Sequence, residues 1–374
     1  MLVYLHIPFC HRVCPYCSFH KHTPGGISIG AFIDALLAES RTRLAPHPTL
    51  PGIPGKARTL YFGGGTPSML SPTHLTRLFD GLQGQIDFDS LDEITFEANP
   101  ATFDLEKAIL FRQLGIRRVS LGIQSFAPHV LETLGREHSP TQAADAVRIL
   151  REAGMPSVNI DLMFSVPGLS HDDWRQTLET AIALEPDHIS AYNLTYEEDT
   201  RFFESLRSGD MDADEDRDAI QFHLAHELLT AAGFEHYETS NYARPAHRSS
   251  HNQGYWQGEA YLGLGPSAVS TLPHTTEPGA MIRHTNIADT PAYIDMIGSL
   301  GHAIANSESL GHSELRLERI ALLLRTATGL PAHWLPPADP AAILDQGLAI
   351  LENGHLRLTS AGAPLVDAIA AELA

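Results

Sequence analysis

The chain has 374 residues, of which 43% are apolar and 19% charged; this excludes wholesale disorder and supplies enough apolar surface for a large core. A formal charge of −20, with no run of Lys and Arg to offset it, repels phosphate backbones and excludes nucleic acid as a partner. No apolar stretch approaches the roughly 20 residues that span a bilayer, and no basic segment leads into an apolar signal region, so a cytoplasmic location is expected, with peripheral membrane contact through partners left open.

The first two-thirds alternates short β-branched or aromatic runs with longer amphipathic ones, the pattern of repeated βα units. Strands are expected at Leu2–Ile7, Thr59–Phe62, Glu93–Glu97, Arg118–Ile123, Ser157–Met163 and His188–Asn193. Apolar residues recur at three- and four-residue spacing in Phe32–Leu44, Leu75–Leu82, Leu105–Leu114, Ala143–Ala153 and Trp174–Leu184. Ser71-Pro72, Ser139-Pro140 and Ser170 with Asp173 mark helix starts. Crossovers of this length join parallel strands and curl into a partial barrel whose strand C-terminal ends face the active site. Beyond Met211 a helix is expected at Asp216–Ala232, with strands around His236–Asn241 and Ala260–Thr271. After about Glu308 the pattern turns Leu- and Ala-rich and helical through Ile343–Leu351, then strand-like at His355–Leu358 and helical again at Ser360–Leu373. The expected organisation is α/β: a barrel core over 1–210, a barrel-associated extension over 211–305, and a small winged-helix-like domain over 306–374.

All three cysteines, Cys10, Cys14 and Cys17, fall in one loop directly after the first strand. An odd, clustered set in a long chain is no disulfide framework and reads as a metal or redox site. Three thiolates on a cubane of four irons leave one iron open for exogenous chemistry. A zinc-stabilised module, with His11, His20 or His22 as fourth ligand, is the alternative on ligand arithmetic.

The run Tyr4-Leu5-His6-Ile7-Pro8-Phe9-Cys10 and the two following cysteines resemble the opening of radical SAM proteins related to oxygen-independent coproporphyrinogen III oxidase, and within that group the HemW-type heme chaperones. The resemblance implies a (β/α)6 TIM-like radical SAM barrel holding a [4Fe–4S] cluster. On the open iron it implies S-adenosylmethionine, cleaved by an electron from the cluster into methionine and a 5′-deoxyadenosyl radical. An electron donor for the cluster is then required.

Gly63, Gly64 and Gly65, with Thr66, end the second strand, where glycine admits a close ligand approach. Glu97, Gln124, Arg136 and Asp161 stand at or beyond strand ends; taken singly, each is as readily a solvated or capping residue. The resemblance makes them contacts to S-adenosylmethionine. It pairs Arg136 with the methionine carboxylate and Asp161 with the ribose, and it adds Tyr4, Tyr16, Thr195 and Val269 around the nucleoside.

His251-Asn252-Gln253-Gly254-Tyr255-Trp256 has the HNxxYW form that resembles the HemW signature. By itself a His beside Tyr and Trp is ordinary packing; the resemblance makes His251, Tyr255 and Trp256 heme contacts, with His247 a nearby competitor. The oxidase relatives carry another cysteine two residues after the third cluster ligand, where this chain has Phe19, which weighs against the oxidase activity. His223 and His226 share a helical face without a carboxylate and read as a packed or solvated face. The expected function is therefore heme delivery to hemoproteins such as respiratory enzymes; a homodimer is left open.

Overall fold

The computed structural model describes residues 1–45, 56–335 and 340–373. Its first part is β1 (Leu2–Ile7), α1 (Ile29–Leu44), β2 (Thr59–Gly64), α2 (Pro72–Gln83), β3 (Glu93–Ala98), α3 (Leu105–Gln113), β4 (Arg118–Gln124), α4 (Pro128–Thr133), α5 (Pro140–Glu152), β5 (Ser157–Phe164), α6 (His171–Ala183) and β6 (His188–Asn193). The six strands are parallel and neighbour one another in chain order, giving the expected α/β partial barrel. The helix starts follow their caps. Ser71 accepts from His74 N with Pro72 in the first turn, and Ser139 with Gln142 and Ser170 with Asp173 form reciprocal capping boxes.

The rest is α7 (Arg201–Ser208), α8 (Glu215–Ala231), β7 (Glu235–Glu238), β8 (Asn241–Ala243), α9 (Ser250–Trp256), β9 (Tyr261–Leu264), β10 (Val269–Pro273), β11 (Met281–Asn286), α10 (Thr290–Leu300), β12 (Ile304–Leu310), α11 (His312–Leu324), β13 (Leu330–Pro331), α12 (Ala341–Asp345), β14 (Ala349–Glu352), β15 (His355–Leu358) and α13 (Val366–Leu373). β9 adds parallel to β1 and β8 antiparallel to β6, extending the sheet to twelve strands in the order β12-β11-β10-β9-β1-β2-β3-β4-β5-β6-β8-β7. A separate three-stranded sheet, β13-β15-β14, shares its own apolar cluster with α11, α12 and α13, including Ile320, Leu356 and Ile369. Ile343–Leu351 is not one helix as its pattern suggests. Gly347, at φ 69°, turns the chain after α12, and Ala349–Glu352 pairs with β15 instead.

Period-two alternation sorts the strands into two environments. Leu60 and Phe62, Ile94 and Phe96, and Val119 and Leu121 join the main core, where Phe62 stacks on Phe79 of α2 at 4.7 Å. Their neighbours form a polar network across the barrel lumen: Asn159 Nδ2 donates to Ser120 Oγ (2.7 Å) and Ser190 Oγ (3.0 Å), and Asn159 Oδ1 lies 2.6 Å from His188 Nδ1. Each group has partners, as buried polar atoms require.

Residues 247–259 cross the N-terminal ends of the strands and close the barrel floor. Ser249 Oγ (3.1 Å), Ser250 N (2.7 Å) and His251 N (3.4 Å) all donate to the Glu93 carboxylate at the start of β3. Arg58, just before β2, donates to Ser250 O (3.3 Å) and Glu259 Oε1 (2.7 Å). Among the described residues no helix is long and apolar enough to cross a membrane.

Candidate functional site

The cysteine loop leaves the C-terminal end of β1 and is tied down at both ends. Cys10 N donates to His22 O (3.0 Å) and His22 N to Pro8 O (2.9 Å). Lys21 Nζ donates to the carbonyls of Cys17 and Phe19. The three thiols are free, Cys10 buried and the other two half-buried. Thr66 Oγ1 donates to Cys10 Sγ at 3.4 Å and Arg136 Nη1 to Cys14 Sγ at 3.8 Å, so both groups are aimed at sulfur. Burial pushes the Cys10 and Cys17 thiols up, which favours the neutral form until a metal takes the proton's place.

Among the described residues no three His, Cys, Asp or Glu side chains gather closely enough to hold a single metal ion. Of the histidines near the loop, His22 Nε2 is engaged at 2.8 Å with Thr290 Oγ1, the His20 ring packs between those of His6 and His22 with its Nε2 unpartnered, and His11 stands on the cavity wall beside the three cysteines. A polynuclear cluster, whose thiolates bind different irons, does not need its ligands to converge on one point.

The glycine turn lies against this loop. Gly65 N donates to Ile7 O and Thr66 N to Phe9 O, each at 2.8 Å. A Cβ at Gly65 would stand 2.6 Å from Phe9 O, and Gly64 has φ 104° with the His6 ring where its Cβ would be. Only glycine fits both positions.

Cysteine loop and glycine turn open onto a cavity of about 470 Å³ at the strand C-terminal ends. Cys10, Cys14, Cys17 and Tyr16 line it from β1's loop, and Gly64, Gly65 and Thr66 from the turn after β2. Glu97, Gln124, Arg136, Asp161 and Thr195 complete the wall, so most of the site residues expected from sequence meet here. The half-buried Arg136 guanidinium donates to Gly122 O at 2.6 Å, while its Nε has no partner. That donor set, beside a glycine cradle and three thiols, fits an amino acid carboxylate next to a metal cluster. Gln124 has φ 73°, the left-handed region, at a register shift between β4 and β5, a strained backbone of the kind that gathers at binding sites.

Two half-buried carboxyls face the lumen. Glu97 Oε1 accepts from Tyr61 Oη (2.8 Å) and Oε2 from Gly64 N (3.1 Å). Burial, with repulsion from Asp161, pushes Glu97 up to about 7. Burial also raises Asp161, which accepts from Ser120 Oγ (2.9 Å) and Asn159 Nδ2 (2.7 Å).

Other expected residues are not on the cavity wall. Tyr4 lies deeper in the lumen, its hydroxyl 3.1 Å from His6 Nδ1 and its ring 6.0 Å from Tyr61. Val269 opens β10 and packs against the glycine at 263. The HNxxYW residues belong to α9 in the barrel floor. His251 is 1% exposed, with Nδ1 2.7 Å from Thr59 Oγ1 and its ring stacked on Tyr61 at 4.9 Å. Tyr255 closes on His251 at 5.0 Å and on Tyr261 at 4.7 Å. Conversely, Tyr61, Met163 and Tyr192 line the cavity without having been singled out. Extending period two from Gly63 and Asp161 would have found the first two.

The family model of the radical SAM superfamily matches residues 4–181. The heme chaperone HemW of Mycobacterium tuberculosis is 37% identical over 98% of this chain and 93% of that protein. HemW of Escherichia coli is 36% identical over 76% of this chain and 72% of its own length. Among solved structures, coproporphyrinogen III oxidase HemN of Escherichia coli covers 99% of this chain and 89% of its own, with a TM-score of 0.81 at 23% identity, a likeness of fold.

Proposed function

We propose that this chain, which belongs to the radical SAM superfamily and within it to the HemW family, is a heme chaperone that carries a [4Fe–4S] cluster and S-adenosylmethionine at its barrel mouth. The carrying observation is the convergence of three free thiols, a glycine cradle and the Arg136 guanidinium on one cavity. Cys10, Cys14 and Cys17 would hold the cluster. Arg136 would bind the methionine carboxylate and Asp161 the ribose. Glu97, Gln124 and the backbone of Gly64, Gly65 and Thr66 would hydrogen-bond the ligand, and Tyr16 and Thr195 would flank it. Tyr4 and Val269 would act from behind the wall. When bound, the pair supplies one-electron reductive cleavage of a sulfonium; the chain's own part is to bind, orient and exclude water.

Heme is the proposed cargo, supported by the name and near full-length similarity of the mycobacterial relative, with hemoproteins such as respiratory enzymes as acceptors, an electron donor for the cluster, and a cytoplasmic setting. The proposed heme contacts His251, Tyr255 and Trp256 form the barrel floor, so iron ligation by His251 requires α9 to withdraw from Thr59 and Tyr61. Phe19, 66% exposed on the cavity rim, supplies no additional thiol, which argues against coproporphyrinogen oxidation. The test is anaerobic reconstitution of the full chain followed by parallel titrations. Iron and sulfide at one cluster per chain, tight S-adenosylmethionine binding and a Soret band on adding heme support the proposal. An absent Soret band, or turnover of coproporphyrinogen III to protoporphyrinogen, contradicts it.

A further inference from the structure

A line of contacts runs the height of β2, from the barrel floor to the cavity. At its base, Thr59 Oγ1 and His251 Nδ1 are 2.7 Å apart, and the imidazole lies on the Tyr61 ring at 29° between planes. Tyr61 then reaches upward: its hydroxyl donates to Glu97 Oε1 at 2.8 Å, and the other oxygen of Glu97 accepts from Gly64 N at 3.1 Å. Gly64 and Glu97 both line the cavity.

The Tyr61 ring is held on several sides. Its edge and the Glu97 carboxylate pack over Gly63, where a Cβ would stand 2.9 Å from Tyr61 Cε1 and 2.8 Å from Glu97 Oε1. Tyr4 is a looser neighbour at 6.0 Å. The stacked face belongs to His251, whose own orientation is set by Thr59 and by Tyr255 at 5.0 Å. The imidazole is in turn fixed by α9, whose first backbone amides are held by Glu93. A ring pinned on one face keeps its hydroxyl on one carboxylate oxygen; released, it can turn, and Glu97 loses the hydrogen bond that sets its rotamer.

We infer that His251 is a positioning residue of the nucleoside site: through Tyr61 it fixes the Glu97 carboxylate, and with it the Gly64 backbone that donates to Glu97, at the wall of the cavity. This rests on the reading of the cavity as an S-adenosylmethionine site. It assigns the HNxxYW histidine a task at the barrel floor that does not require heme. The coupling is one of packing and hydrogen bonding, with His251 touching no ligand itself.

The experiment uses the full-length reconstituted protein and two measurements: the S-adenosylmethionine dissociation constant by equilibrium dialysis, and hydrogen exchange of the Tyr61–Thr66 segment without ligand. His251→Ala is expected to weaken binding about fivefold, the worth of roughly one aromatic pair, and to speed exchange at Gly64. His251→Phe, which keeps a flat ring on Tyr61, should recover most of both. His251→Asn, which keeps only a hydrogen-bonding group toward Thr59, should recover less. Should His251→Ala fail to fold, Thr59→Val carries the test and should weaken binding about twofold to threefold. Affinity within about twofold of wild type together with wild-type exchange at Gly64 overturns the inference. If the wild-type chain binds no S-adenosylmethionine, the proposed function fails, and exchange at Gly64 still decides the role of His251.

Discussion

Gly65 is where the glycine turn and the cysteine loop meet backbone to backbone. Its missing Cβ leaves room for Ile7 O and Phe9 O, 2.8 and 2.6 Å from where that atom would sit. Neither carbonyl can swing aside as a flexible side chain would, so Gly65→Ala should cost about 1–3 kcal/mol and lower the iron bound per chain. Urea unfolding and iron analysis check this; wild-type values for both would show that the seam yields. Glu97 carries a second prediction at this scale. Its carboxyl sits at about 7 in the folded chain against an ordinary 4.5, raised first by burial. Between those values the folded protein keeps a proton that the unfolded chain has lost, so this group's contribution to stability falls as pH rises through the window and is flat above it. Glu97→Gln removes the titration. The stability of the variant relative to wild type should therefore rise between about pH 5 and pH 7 and then level off. A difference independent of pH would remove Glu97 from the account.

Among the elements, α9 is the most consequential for the site, and one carboxylate takes three of the hydrogen bonds that anchor its start. Glu93 accepts from Ser249 Oγ, Ser250 N and His251 N in a buried position, so Glu93→Ala strands several donors and should cost roughly 2–4 kcal/mol. Removing the exposed Glu352 partner of Arg357 should cost less than about 1 kcal/mol. Equal losses for the two would contradict the floor's role. How well each element could be read depended on its pattern. β1 and β6 run over the residues expected because both ends are marked by changes in apolarity. α2, α5 and α6 start three residues before their apolar period because Ser and Pro caps, not buried side chains, set the first turn, whereas α3 starts at Leu105 as expected. α9 carries Asn252, Gln253 and Gly254 and has no apolar period, so its HNxxYW run announced a motif but not a helix. β12 is polar and exposed along most of its length, which hides its strand pairing from any alternation rule. The cavity wall was legible where chemistry-bearing residues end strands, at Glu97 and Asp161. It was missed at Tyr61, one period-two step before Gly63, where an aromatic ring has no charge or metal-binding group to mark it.

Across the whole molecule, histidines set the response to acid. Burial pulls His6, His138, His236 and His284 down to about 4 and His251 to about 3, from an ordinary 6.5. As pH falls from about 6.5 toward 4, the unfolded chain takes up protons at these rings that the folded chain refuses, so stability is full above the window and lost within it. Glu97 and Glu238, both raised to about 7 by burial, and Glu39 and Asp161, also raised, act in the opposite direction, but burial lowers His20, His188 and His226 as well, so the imidazoles outnumber the carboxyls and leave a net loss. The urea midpoint should therefore be lower at pH 5 than at pH 7; an equal or higher midpoint at pH 5 would mean that these rings charge in place. The same scale frames the site, since the six parallel strands β1 to β6 bring thiols, glycines and half-buried carboxyls to one mouth at their C-terminal ends. Electron paramagnetic resonance of the reduced, anaerobically reconstituted chain, recorded with and without S-adenosylmethionine, tests that convergence most directly. The account predicts one [4Fe–4S]⁺ signal per chain whose g values shift when the ligand is added. A missing cluster signal, or a spectrum that saturating ligand leaves unchanged, would contradict it.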